Sequence, residues 1–165
     1  MAREIATVTY RSGPEWNERF SRNKLNEAKI DLCPTFEIEN YLNYQGEIFS
    51  LKYDPNSLLY LSKAMDLYDI GEGYESKTAA LSNIKCPVMV MGCQTDILFP
   101  VKQQRDLARW LKESGNSSVI YFEMDSLYGH DTFLLSLNDV GTAIKGFLET
   151  SLVKTGDLSK SSQKK

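Results

Sequence analysis

The spacing of apolar residues divides this 165-residue chain near residue 84. From residue 13 to 83 the sequence is rich in Tyr, Asn, Glu and Leu, and its apolar positions recur at helical rather than alternating intervals. In "FEIENYLNYQGEIF" the residues Phe36, Tyr41, Tyr44 and Phe49 fall near one helical face. "DPNSLLYLSKAMDLYDIG" opens on a cap-like Asp-Pro-Asn-Ser and is predicted to end at Gly71. Amphipathic helices packed on another part of the protein account for nearly all the aromatics of this region. The opening stretch "IATVTY" is short, β-branched and aromatic, and fits either a strand or the end of a helix.

Beyond residue 84 the rhythm changes. "IKCPVMVMGCQTD" holds a continuous apolar run from Val88 to Met91, closed by Gly92 and a polar turn. Such a run suits a strand of a parallel sheet buried on both faces. "VKQQRDLARWLKESG" predicts a helix with Val101, Leu107, Ala108 and Leu111 inward and Gly115 at its end. "SVIYFEM" predicts a second strand, and "LLSLNDVGTAIKGFLETSL" a closing helix. The order β-α-β-α implies an α/β fold with a parallel sheet and right-handed crossovers. The polar, basic end, residues 151–165, is expected to be disordered.

Composition narrows the partners. A net charge of −3 argues against a nucleic-acid surface, which needs a basic face. No stretch approaches the roughly 20 apolar residues that span a bilayer. "MAREIATVTYRSG" lacks the apolar core of a signal peptide and carries a Glu that transit peptides avoid, so an intracellular, cytoplasmic protein is expected. Cys33, Cys86 and Cys93 form no CxxC pair and read as reduced, mostly buried thiols. With one histidine, a structural zinc site is not expected.

In a doubly wound sheet, functional groups collect in the loops after the carboxyl ends of strands. Asp96 in "GCQTDILFP" and His130 in "YGHD" occupy two such loops, 34 residues and one strand-helix-strand unit apart. An Asp that accepts from one imidazole nitrogen leaves the other as a general base. Taken singly, Asp96 reads as a turn or cap residue and His130 as a hydrogen-bonded loop ring. Acid followed by base is the order of an α/β-hydrolase triad, Ser…Asp…His. No G-x-S-x-G elbow occurs in these residues, and Cys86 and Cys93 lie in or beside the predicted strand, where an inert thiol fits better.

"CPVMVMGCQTDILFPVKQQRDLA" and "YGHDTFLL" resemble the C-terminal half of homoserine O-acetyltransferases, a family of α/β-hydrolase fold. "AREIATVTYRS" is similar to the segment that leads into that family's helical lid, and "FEIENYLNYQGEIFSLKYDPNSLLYLSKAMDLYD" to the lid helices. The resemblance covers roughly residues 2–149, and its wording in the lid, "YRSGPEWNERF", is nearer the fungal branch that acylates L-serine. It implies the C-terminal portion of an α/β-hydrolase fold. Residues 1–12 would lead from sheet to lid, 13–83 would form the helical lid, and 84–150 would carry the acid and histidine loops.

The resemblance also implies roles. Asp96 would be the triad acid and His130 the triad base. Arg3 would pair the carboxylate of an amino-acid acceptor, Tyr10 would enter the acceptor pocket, and Asp131 would bind the acceptor's amino group. A zwitterion needs one fixed cation and one fixed anion. From the residues alone, Arg3 reads as a solvated side chain, Tyr10 as a core aromatic, and Asp131 as a surface carboxylate or helix cap. The expected chemistry is ping-pong transfer of an acetyl group from acetyl-CoA, a co-substrate and not a bound cofactor, to L-serine or L-homoserine. Succinyl-CoA is the other donor the resemblance allows. A homodimer through the lid is the expected partner in the full-length enzyme. The nucleophile is expected before residue 1, so the chain by itself is expected to be inactive, and a mitochondrial location is expected if a transit segment precedes it. An esterase of the same fold and a non-catalytic binding module are the competing readings.

Overall fold

The computed structural model describes residues 1–25 and 35–162, with side chains as far as Ser151. Cys33 and residues 163–165 lie outside the described residues. Helices α1 (Ala2–Thr9), α2 (Gly13–Arg19), α3 (Glu37–Lys52), α4 (Pro55–Leu67) and α5 (Lys77–Leu81) precede strand β1 (Val88–Cys93). Helix α6 (Val101–Glu113) and strand β2 (Val119–Met124) follow, then a 3₁₀ turn at Gly129–Asp131, α7 (Thr132–Leu135) and α8 (Leu137–Ser162).

The opening "IATVTY" is helical. Its hydroxyls turn back on the helix, Thr7 donating to the Arg3 carbonyl at 2.8 Å and Thr9 to that of Ala6 at 2.9 Å. That bonding lets β-branched residues sit in a helix they do not favour. Asp54 caps α4 by accepting from the Ser57 amide at 2.7 Å, as its Asp-Pro-Asn-Ser opening predicts. The helix ends at Leu67 and not at Gly71, because Tyr68 is extended and the Asp69 carboxylate turns the chain by accepting from the Gly71 amide at 2.8 Å. At the other end α8 continues to Ser162, through residues where the polar tail reads as disordered; no proline interrupts it.

Strands β1 and β2 pair in parallel, from Val88 opposite Val119 to Cys93 opposite Met124. The α6 crossover covers one face, where Leu81, Val90, Ala108 and Leu111 form a buried core with Val88, Val119 and Trp110 packed around it. The leucines and valine each contribute about 1.5–3 kcal/mol when fully buried, an alanine methyl about 0.8 kcal/mol. Cys93 is buried, whereas Cys86, preceding the strand, is exposed, which corrects the expectation of a buried thiol there. Gly115 ends the α6 region at φ +90°, as its position predicts.

Buried Asn116 ties the return from α6 to the approach of β1. Its amide donates to the carbonyls of Ile84 and Cys86, both at 3.0 Å, and its oxygen accepts from the Ser118 amide at 2.9 Å. Asn116→Leu strands all three groups. Urea titration is expected to show a loss of about 2–4 kcal/mol.

A second bracket is electrostatic. Arg105 donates twice to Glu123, at 2.8 and 2.6 Å, while Tyr121 donates to the same carboxylate at 2.6 Å and Gln94 at 3.0 Å. The Arg105 hydrogen bond leads the causes that lower the Glu123 carboxyl from 4.5 to about 2. A carboxyl lowered by folding stabilises the fold above its unfolded value and loses that contribution as pH falls through its folded one. Thermal melts of Glu123→Gln are therefore expected to fall less steeply than wild type between pH 4.5 and about 2.

Candidate active site

Parallel pairing sets the carboxyl ends of β1 and β2 side by side, so the loops that follow them meet. In the first loop, Asp96 Oδ1 accepts from the amides of Leu98 and Phe99 at 2.9 and 2.8 Å. In the second, His130 Nδ1 lies 2.9 Å from Asp96 Oδ2. Asp96 thus serves the turn with one oxygen and meets the imidazole with the other. The Asp96 side chain is 9% exposed and that of His130 26%. An ionised carboxylate only accepts, so Nδ1 donates and the lone pair rests on Nε2.

Phe99 and Phe133 present edge contacts to the imidazole, with centroids at 4.9 and 5.8 Å. These rings, with Gly92, Gln104 and Met124, line a cavity of about 190 Å³ beside Asp96 and His130. Among the described residues, no hydroxyl or thiol is hydrogen-bonded to Nε2.

The histidine loop is fastened from two directions. Thr95 Oγ1 accepts from the Gly129 amide at 3.2 Å and donates to the Ser126 carbonyl, while Thr132 Oγ1 donates to the Gly129 carbonyl at 2.7 Å. The link between α1 and α2 presses on the same loop. Tyr10 accepts from the Asp131 amide at 3.2 Å, and Ser12 Oγ donates to the Leu127 carbonyl. Gly129 stands at φ +60°, and a Cβ there would lie 2.9 Å from Arg11 C and from Ser12 N.

This contact brings the three remaining predicted residues into one neighbourhood. Arg3 donates to the Tyr10 hydroxyl at 3.2 Å, and its guanidinium stacks 5.1 Å from the Tyr10 ring and 4.7 Å from that of Phe49. Asp131 follows His130, with its side chain 19% exposed and 3.9 Å from Arg11. It occupies the N-cap position of α7 but makes no side-chain cap bond, so the cap reading fails. Burial raises the Asp131 carboxyl above the usual range, opposed by the charges of Arg11, His130 and Arg3. Arg3 makes no direct hydrogen bond to Asp131.

Arg11, Ser12 and Glu15 are the participants that sequence reasoning passed over. Their signal was present: "SGPE" has the S-x-x-E form of a helix start, and Ser12 does cap α2 by accepting from the Glu15 amide at 3.0 Å. Glu15, however, turns its carboxylate to Arg11.

No family model matches the chain. Serine O-succinyltransferase of Emericella nidulans is 38% identical to it over 213 residues, covering 90% of this chain and 41% of that protein. Homoserine O-acetyltransferase of Moorella thermoacetica is 39% identical over 150 residues, covering 90% of this chain and 40% of that protein. The chain is homologous to a segment of the serine and homoserine O-acyltransferases. It spans about two fifths of the length of these relatives. The crystal structure of homoserine O-acetyltransferase from Bacillus anthracis superposes with a TM-score of 0.74 at 23% identity, over 89% of this chain and 39% of that one. Esterase E22 superposes at 0.71 and 21% identity, over 88% of this chain and 40% of that one. The architecture is thus part of an α/β-hydrolase fold, which these acyltransferases share with hydrolases. Among the described residues, no helix is long and apolar enough to cross a membrane.

Proposed function

We propose that this chain carries the acid, the base and part of the acceptor pocket of an acyl-CoA-dependent O-acyltransferase that acts on L-serine or L-homoserine. The observation that carries this reading is the Asp96 Oδ2–His130 Nδ1 contact at 2.9 Å, formed where two parallel strands end. The cluster of Arg3, Tyr10 and Asp131 supports an amino-acid acceptor, because it offers a cation and an anion a short distance from the base.

In this mechanism a serine from a segment outside these residues attacks the thioester carbonyl, and His130 Nε2 takes its proton. The CoA thiolate leaves and receives that proton, and the acyl group rests on the serine. The acceptor hydroxyl then gives its proton to Nε2 and attacks the acyl-serine ester. Collapse releases the O-acyl amino acid, and His130 returns the proton to the serine oxygen. Asp96 holds the imidazole in the tautomer that both half-reactions use. The helices from 13 to 83 act as the cover that keeps water from the acyl-enzyme. Acetyl-CoA is the donor we assign, with succinyl-CoA the alternative. The alignment with the fungal relative spans 213 residues against 150 for the bacterial one, so the fungal protein carries intervening residues that this chain lacks.

The test is an assay of the full-length protein carrying this chain, with acetyl-CoA or succinyl-CoA and each amino acid. Thiol release that requires the acceptor, with an O-acyl amino acid identified by mass spectrometry, is the expected result. Release of free acid at the same rate with and without acceptor would establish a hydrolase instead. Absence of thiol release would leave the binding-module reading.

A further inference from the structure

We infer that Arg11 and Glu15 form a positioning pair that lends Asp131 a counter-charge while leaving its oxygens open to the acceptor's ammonium group. The inference rests on the acceptor site proposed above. Arg11 sits in the link between α1 and α2 with its side chain only 13% exposed. The rings of Tyr10, Trp16 and Tyr41 stand 5.7, 5.9 and 6.0 Å from its guanidinium. On one side it is gripped by Glu15, a residue 5% exposed; on the other it stops 3.9 Å from Asp131, beyond hydrogen-bonding distance.

That inequality is the informative feature. A guanidinium free to choose between two carboxylates closes on one of them with two parallel N–H donors. Here the guanidinium closes on Glu15, four residues along the same segment, through a single bond from Nη1 to Oε1, and Asp131 receives only the field. Among the described residues, no hydrogen bond reaches the Asp131 carboxylate, although its backbone amide is anchored to Tyr10. The groups facing it are Arg11 from the α1–α2 link, Arg3 from α1 and His130 from its own loop, all basic. Burial favours the neutral acid, which cannot hold an ammonium ion by charge, and the nearby cations oppose that tendency. Arg11 is therefore close enough to oppose the protonation that burial favours and held far enough back not to fill the site.

Two substitutions separate this arrangement from a merely structural role. In Arg11→Gln the counter-charge is lost, and the titration of the Asp131 side-chain carbon, followed by carbon-13 NMR on the full chain, is expected to move up by about one pH unit. In Glu15→Gln the guanidinium is released to close on Asp131, and the same titration is expected to move down. Both substitutions are expected to raise the acceptor KM in the full-length protein about tenfold, more than they lower kcat, because one site is neutralised and the other occupied. Opposite titration shifts with a common rise in KM are a signature that loosened packing does not produce. If Arg11→Gln does not fold, Glu15→Gln decides alone. Titrations that stay in place, or that move in the same direction, overturn the inference. So does an acceptor KM that stays at the wild-type value in both variants, where the wild type transfers acyl groups. Titrations that move as stated in a protein without transferase activity would uphold the pair and reject the proposed reaction.

Discussion

Asp96→Asn is expected to lower acyl transfer by about 10⁴-fold while leaving the fold in place, the scale found when the acid of a Ser-His-Asp triad becomes an amide. The geometry makes this more specific than a loss of charge. Asp96 Oδ1 accepts two backbone amides, from Leu98 and Phe99. An asparagine keeps those bonds only by placing its own oxygen there, which turns its NH₂ toward His130 Nδ1. The imidazole must then accept at Nδ1 and carry its proton on Nε2, and the base is lost. His130→Ala is expected to reach a similar residual rate by removing the base outright, since members of a triad act as one unit. Asp96→Ala differs from both, because it strands the two amides and costs stability as well, about 1–3 kcal/mol. Acceptor-dependent thiol release and a thermal melt, measured on all three variants, separate these effects. Asp96→Asn retaining more than a tenth of wild-type transfer would remove Asp96 from the mechanism.

How much of this was legible in the sequence follows from what each residue depends on. The meeting of Asp96 and His130 could be anticipated because it needs only strand order: two loops one β-α-β unit apart must share a sheet edge. Arg3, Tyr10 and Asp131 had no such warrant, and only the family resemblance singled them out. Their neighbourhood depends on how the segment at residues 10–12 lies against the histidine loop, a contact with no periodicity to betray it. Thr95 and Thr132 were invisible for a related reason. Their hydroxyls serve backbone atoms whose positions exist only once the loops are formed. In "IATVTY" propensity was ambiguous, and hydroxyl bonds back to the helix decided it. Arg11 and Glu15 show the limit of local motifs, since "SGPE" correctly announces a helix start but says nothing of where the carboxylate turns.

Gly129→Ala is expected to damage stability and catalysis together, and a comparison with Gly115→Ala shows why. Both glycines have positive φ, +60° and +90°, so either alanine pays the left-handed penalty of about 1–2 kcal/mol. At Gly115 a new Cβ meets nothing within 4 Å. At Gly129 it would lie 2.9 Å from Arg11 C and Ser12 N, both backbone atoms that no rotamer change can clear. The link at residues 10–12 must then withdraw, loosening the Asp131 amide from Tyr10 and the Ser12 hydroxyl from Leu127. Unfolding titrations are expected to show a loss on the order of 3 kcal/mol for Gly129→Ala and about 1 kcal/mol for Gly115→Ala. Transfer is expected to fall about 10²-fold in the first variant only, the cost of shifting a catalytic group by about 1 Å. The acceptor KM should rise in that variant too, because Asp131 and the segment bearing Arg11 separate as the link withdraws. Equal losses of stability at the two positions, with transfer unchanged, would mean that the N-terminal segment does not brace the histidine loop. The acceptor pocket would then have to be built from other residues.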